Sequence, residues 1–250
     1  MKKVYALSFV VSVLFSLFNC AQPDEIQPVA NSARTKLPRQ PVVVILGSST
    51  AAGFGASSYN RSWAGLLGEQ LKDAKLINLA KGGYTTYHML PTTGAAPRTD
   101  RPAVDTLRNI TAALRRKPDL ILISMTTNDV ALGYGVNEVM KNLESVWEAA
   151  RRAGVAQVYI STSIPRKLNP TAIRQLKEQR TKTLNRFGAN ALNFYDRLAD
   201  ANGLYKPQYN ADDVHPNNSG HQVLFEEVQR VLAGDASALR GGRSRTTVSQ

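Results

Sequence analysis

Along the middle of the chain, short continuous apolar runs alternate with segments whose apolar residues recur every three or four positions. The runs cover 42–46, 76–79, 120–123, 155–160 and 191–195 and are rich in Val, Ile and Leu. Unbroken runs of this length predict strands covered on both faces, because a strand with one wet face alternates apolar and polar residues. The clearest helix lies between the third and fourth runs. There Val136, Val139, Met140, Leu143, Val146, Trp147 and Ala150 share one face, and Gly154 stops it. Further helices are predicted from Trp63, Leu66, Leu67 and Leu71, from Val104, Leu107 and Leu114, and from Ile173, Leu176, Leu184 and Phe187. A last helix carries Leu224, Val228, Val231 and Leu232, with Ser219 as its N-cap. Strand starts about 35 to 45 residues apart leave room for a helix between successive strands. The expectation is an α/β fold, one doubly wound domain over 41–234.

The chain has 250 residues, 43% hydrophobic and 20% charged, which suits a packed core rather than a disordered or fibrous chain. Ahead of the domain, Met1-Lys2-Lys3 precedes a mostly apolar run over 4–18 and then Asn19-Cys20-Ala21-Gln22. This is the pattern of an export signal over 1–19, and the run falls short of the roughly 20 apolar residues that span a bilayer. A buried core helix would leave Lys2 and Lys3 without a role. Export to the periplasm or cell envelope is therefore expected.

Cys20 is the only cysteine, so no intramolecular disulfide can form. Leu17-Phe18-Asn19-Cys20 is similar to the bacterial lipoprotein cleavage motif in its leucine three residues before the cysteine, although Phe18 and Asn19 replace the usual small residues. Lipid attachment at Cys20, anchoring the protein to a membrane, competes there with ordinary cleavage that frees it. Residues 20–40 hold Pro23, Pro28 and Pro38 among polar residues and read as a linker. Residues 235–250, rich in Gly, Ser, Thr and Arg without periodicity, read as a disordered basic tail.

Net charge is +12, or +10 once Lys2 and Lys3 leave with the signal. A balance this basic raises nucleic acid as a partner. The cations, however, are scattered over Arg115-Arg116-Lys117, Arg151-Arg152, Arg166-Lys167 and a helical stretch at 174–186, with no interleaved aromatics to stack on bases. They read as solvated helix faces suited to an anionic membrane surface or an acidic polymer, and nucleic acid is not expected.

In a doubly wound sheet, ligands bind beyond the carboxyl ends of the strands. After the first run comes Gly47-Ser48-Ser49-Thr50-Ala51-Ala52-Gly53-Phe54-Gly55, whose small residues permit a sharp turn that exposes a hydroxyl. A phosphate loop would need a Lys-Ser/Thr end or GxGxxG, which this segment lacks, and a plain flexible turn is the remaining alternative. After the second run, Gly82-Gly83 could aim a free N–H into the cleft or be no more than a turn. After the third, Asn128 could donate to a developing oxyanion, or Asn128 or Asp129 could cap the next turn.

Beyond the fifth comes Asp212-Asp213-Val214-His215-Pro216. A serine nucleophile needs an imidazole base, and that base needs a carboxylate on its other nitrogen to fix the tautomer. Three residues' separation can place Asp212 and His215 on one side of a turn. The other histidines are His88 and His221. A metal site from Asp212, His215 and His221 lacks a convincing fourth ligand, and no metal is expected.

Together these segments resemble the SGNH family, also called GDSL hydrolases, which carries a GDS-type serine turn, a glycine, an asparagine in GxND, and DxxH, in that order. Ser49 occupies the serine position, Gly83 the glycine, Asn128 the asparagine, and Asp212 with His215 the last pair. The resemblance implies a flavodoxin-like α/β/α three-layer fold with a five-stranded parallel sheet of order 2-1-3-4-5. It also implies ester hydrolysis through an acyl-serine without a cofactor. His215 would take the Ser49 proton and Asp212 would orient His215. The N–H groups of Ser49 and Gly83 and the Asn128 amide would hold the oxyanion. Two positions depart from the pattern: Ser48 replaces the GDS aspartate, which raises Ser48 as an alternative hydroxyl, and Thr126 replaces the GxND glycine.

The function expected is an exported, monomeric serine esterase acting on short acyl or acetyl esters, small or on polysaccharide. The competing function is a non-catalytic surface protein that binds carbohydrate or a partner, but a binder has no need to keep nucleophile, base and carboxylate in register. The long loop at 84–101 is expected to line the substrate pocket.

Overall fold

The computed structural model describes residues 37–93, 99–124 and 127–233. The export signal, Cys20, the linker as far as residue 36 and the tail at 235–250 lie outside the described residues, as do Met125 and Thr126.

The elements follow one another as β1 (Val42–Gly47), α1 (Trp63–Gln70), β2 (Lys75–Asn78), α2 (Thr86–Met89), α3 (Ile110–Leu114), β3 (Leu120–Ser124) and α4 (Asn128–Ala131). Then come α5 (Val136–Arg152), β4 (Gln157–Ser161), α6 (Pro170–Phe187), β5 (Ala191–Leu192) and α7 (Asn218–Ala233). All five strands run parallel in the order β2-β1-β3-β4-β5. This is the three-layer architecture expected, and it explains the unbroken apolar runs. Val44, Leu46, Ile121, Ile123, Val158 and Ile160 point to one face and pack with α5, α3 and the end of α6. Their neighbours Val43, Ile45, Leu120, Leu122 and Tyr159 point to the other face and pack with Trp63 and Leu67 of α1 and Leu224 and Val228 of α7. Each such aliphatic or aromatic side chain contributes about 1.5–3 kcal/mol when fully buried. Leu37, assigned to the linker by its surroundings in the sequence, is buried in this second cluster.

The departures from the sequence reading have local causes. The helix expected over 104–114 forms only from Ile110. Asp105 Oδ1 accepts from Leu107 N–H, Asn109 Oδ1 caps Ala112 N–H, and Leu107 is 77% exposed. The fifth strand pairs over two residues only. The Asn193 carbonyl oxygen Oδ1 accepts from Tyr195 and Asp196 N–H and turns the chain away from the sheet. Ser219 lies inside α7. The cap is Asn217, whose Oδ1 accepts from Gly220 N–H at 3.0 Å.

The chain leaves β1 toward β2 on one side and returns to β3 on the other. This reversal opens a crevice beyond the carboxyl ends of β1 and β3.

Candidate active site

The serine turn starts from the close approach of β1 to β3. A Cβ on Gly47 would lie 2.8 Å from Ser124 O, so only glycine lets the chain leave the strand here. Helix-like bonds then curl the turn, with Ala52 N–H on Ser48 O and Phe54 N–H on Ser49 O, both at 3.0 Å. The two hydroxyls diverge. Ser48 is 6% exposed and its Oγ accepts from Asn128 Nδ2 at 2.9 Å. Ser49 Oγ instead meets His215 Nε2 at 2.8 Å. The hydroxyl in reach of a base is therefore Ser49, and Ser48 belongs to the Asn128 side of the crevice.

His215 sits on a loop locked by its own polar residues. Asn210 pairs with Pro216 in an antiparallel bridge, and Ala211 N–H donates to His215 O. Asp213 takes the left-handed backbone (φ 66°) that aspartate tolerates, and its carboxylate is held by Lys167 Nζ and Asn210 Nδ2. Asp212 and His215 then face one another, with Nδ1–H donating to Asp212 Oδ2 at 2.8 Å. Asp212 Oδ1 also accepts from the N–H groups of His215 and Val214. Burial pushes the Asp212 pKa up, but these donors outweigh it and hold the carboxyl below its usual range. A carboxylate on Nδ1 fixes the tautomer that leaves Nε2 free to accept from Ser49 Oγ–H. Gly55 supports the base from beneath. A Cβ there would lie 2.3 Å from Pro216 O and 2.7 Å from His215 Cβ.

On the opposite wall, Gly83 takes φ 81° after β2, and Asn78 Nδ2 ties this edge to the serine turn through Ala51 O at 2.7 Å. Among the described residues the N–H groups of Ser49 and Gly83 have no partner, as donors kept for a ligand would. Asn128 opens α4, yet its side chain does not cap that helix. Its Nδ2 donates to Ser48 Oγ and to Tyr84 O at 2.8 Å. Asp129, fully buried, accepts from Thr86 N–H and Oγ1–H and ties the end of β3 to the start of α2. Ser49 and Asn128 thus line one hollow, and Gly83 immediately precedes Tyr84, whose carbonyl accepts from Asn128.

The other histidines have different tasks. His221 is buried between Trp63 N–H, which donates to Nδ1, and Phe54 O, which accepts from Nε2–H. Burial lowers its pKa to about 4, so it is neutral. With both nitrogens engaged by backbone it cannot join Asp212 and His215 on a metal. His88 stacks on Tyr84 at 4.5 Å and accepts from Thr85 N–H, and burial lowers its pKa as well.

Two features escaped the sequence reading. Arg166, read there as part of a solvated helix face, lies in the turn after β4. It donates from Nη1 to Asn128 Oδ1 at 3.0 Å and to Thr127 Oγ1 at 3.2 Å. Its place at a strand end was the available signal. Of the loop at 84–101, residues 94–98 lie outside the described residues, and the start of the loop departs from expectation. Tyr84, Tyr87, Met89 and Leu90 are buried in the core. The hollow beside Ser49, about 10 Å³, is walled instead by Ser48, Thr50, Ser124, Thr127, Ile164 and Val214. Phe54 closes the rim, 52% exposed, its ring 5.7 Å from the His215 ring.

A family model described as GDSL-like Lipase/Acylhydrolase matches residues 45–223, from β1 into α7. The chain belongs to this family. The fold agrees with solved members and neighbours of the GDSL-like group at low identity. The psychrotrophic esterase EstA from Pseudoalteromonas sp., in a structure inhibited by monoethylphosphonate, is 20% identical with a TM-score of 0.57, covering 79% of this chain and 99% of that one. A GDSL-like lipase from Bacteroides thetaiotaomicron is 18% identical with a TM-score of 0.58, covering 82% and 93%. A carbohydrate acetylesterase family member from Sinorhizobium meliloti is 18% identical with a TM-score of 0.52, covering 78% and 98%. No curated protein matches the sequence.

Proposed function

We propose that this GDSL-like protein is a serine esterase that hydrolyses short acyl or acetyl esters, including those on carbohydrate, with Ser49 as nucleophile, His215 as base and Asp212 orienting the base. The observation that carries the reading is the unbroken relay of 2.8 Å from Asp212 Oδ2 to His215 Nδ1 and 2.8 Å from Nε2 to Ser49 Oγ.

Ser49 Oγ attacks the ester carbonyl carbon while its proton passes to His215 Nε2, and the carbonyl oxygen becomes an oxyanion. The oxyanion is held by the N–H groups of Ser49 and Gly83 and by Asn128, one of whose N–H bonds turns to it from Ser48 Oγ. Removing one such donor typically costs about 3–4 kcal/mol of transition-state stabilisation. Collapse of the intermediate releases the alcohol, which takes the proton from His215, and leaves acyl-Ser49. His215 then deprotonates a water that attacks the acyl group, and a second collapse returns the proton to Ser49 Oγ and frees the acid. No step calls for a cofactor.

The small hollow beside Ser49 favours a short acyl group. The exposed Phe54 ring beside His215 offers an apolar face to the alcohol, as a sugar ring presents. The likeness to a carbohydrate acetylesterase family member accords with that choice. Export by residues 1–19, with lipid attachment at Cys20, belongs to the same proposal and rests on the sequence pattern; growth with a labelled fatty acid and no label on the protein would remove the anchor.

The test is reaction of the purified protein with a serine-reactive phosphonate, followed by peptide mapping, together with assays on nitrophenyl esters of increasing chain length. The expected result is phosphonylation at Ser49 and highest rates on the shortest acyl chains. Absence of label on Ser49, with no ester turned over, would overturn the reading.

A further inference from the structure

We propose that Arg166 is a positioning residue of the oxyanion site, fixing which end of the Asn128 amide faces the crevice and strengthening its N–H donors; the inference rests on the esterase reading above. A primary amide has an acceptor end and a donor end of almost the same shape, so its orientation must be set by neighbours. Among the described residues, Asn128 Nδ2 faces the acceptors Ser48 Oγ at 2.9 Å and Tyr84 O at 2.8 Å. Ser48 by itself decides nothing, because a hydroxyl can donate as readily as accept. Tyr84 O, which can only accept, and Arg166 together remove that freedom. A guanidinium only donates, and its Nη1 lies 3.0 Å from Oδ1. The flipped amide would set Nδ2 against the cation and Oδ1 against Tyr84 O, which is two repulsions in place of two bonds.

The surroundings of Arg166 separate it from an ordinary surface arginine. Among the described residues it forms no ion pair with a carboxylate, and its Nε is buried without a partner. Burial lowers its pKa, opposed by Tyr205 and Asp212. A cation held in partial burial costs free energy unless something there uses its field. That field polarises the amide: a cation on Oδ1 makes the amide N–H groups stronger donors, a cooperative strengthening of about 10–30% per bond. Thr127 Oγ1, also bonded to Nη1 at 3.2 Å, fixes the guanidinium on the chain segment that carries Asn128. Arg166 is thus bonded to two successive residues of the segment that carries the amide.

The experiment is a double-mutant cycle on p-nitrophenyl acetate with Arg166→Met, Arg166→Lys, Asn128→Ala and the Arg166→Met/Asn128→Ala pair, alongside thermal melts. Arg166→Met should lower kcat by about tenfold to a hundredfold, with KM changed less than about threefold and melting close to wild type. Arg166→Lys, which keeps a cationic donor, should recover part of the loss. In the Asn128→Ala background, Arg166→Met should lower kcat by less than about threefold, since the group it positions is gone. Losses that multiply, or a loss confined to KM, would overturn the inference and make Arg166 an independent or substrate-binding residue. An active wild type with an unaffected Arg166→Met sinks this inference and leaves the esterase reading intact. A wild type inactive on every ester sinks both.

Discussion

His215 Nε2 lies 2.8 Å from Ser49 Oγ although 166 residues separate them in sequence. The contact depends on two loops far apart in the sequence that meet beyond the carboxyl ends of the strands. The serine turn leaves β1, an inner strand between β2 and β3, and the His215 loop is held over it by its bridge at Asn210 and Pro216. Gly55 joins the two directly, because the missing Cβ is what lets the serine turn touch the His215–Pro216 backbone.

The two adjacent serines should separate cleanly. Ser49→Ala should lower kcat/KM on p-nitrophenyl acetate by about 10⁴-fold or more, as loss of a triad nucleophile does. Ser48→Ala removes one acceptor from Asn128, a net interaction of about 1 kcal/mol, and should stay within roughly tenfold of wild type. Steady-state kinetics on both variants decide it, and a dead Ser48→Ala beside an active Ser49→Ala would exchange their roles.

Asp212→Asn tests the orienting carboxylate. Its amide would offer Nδ2 to His215 Nδ1 and favour the tautomer that blocks Nε2 from accepting the serine proton, an effect of up to roughly 10⁴ in kcat elsewhere. Asp212 is 54% exposed, so water shares the task, and a fall of about 10²–10⁴ is expected. A loss below about fivefold would show that another group orients His215.

Two glycines with positive φ should respond differently to alanine. Gly83→Ala meets nothing within 4 Å and bears only backbone strain of about 1–3 kcal/mol, with its N–H retained. Gly55→Ala drives a methyl into Pro216 O and His215 Cβ and should displace the base. Melting and kcat measured on the pair should show activity within about tenfold for Gly83→Ala and a loss above a hundredfold for Gly55→Ala.

His221 gives stability an acid limit. Its pKa is about 4 folded against an ordinary 6.5, so between these values the unfolded chain binds a proton that the folded chain refuses. Stability from this group is therefore present above about pH 6.5 and is lost as pH falls toward 4, by roughly 3 kcal/mol in all. Urea melts at pH 7 and pH 4.5 should show a smaller pH-dependent loss in His221→Gln than in wild type, even though the variant is less stable at pH 7. Equal slopes would place the acid sensitivity in the carboxylates.

The sequence by itself determined the layered sheet and the order in which the chemistry follows its strands. Apolar runs such as 42–46 can be buried on both faces only if helices cover both, and that constraint is written in side-chain polarity. It likewise placed Ser49, Gly83, Asn128, Asp212 and His215 at strand ends or in the loop that follows, because turns need small and polar residues. It did not determine where 104–114 becomes helical or where β5 stops, since Asp105, Asn109 and Asn193 bind backbone groups that periodicity ignores. Nor could it show that Arg166 reaches Asn128, that Ser48 faces away from His215, or that Leu90 is core rather than pocket. Those outcomes belong to the tertiary structure alone, because each is a distance between residues whose spacing along the chain carries no information about their spacing in the fold.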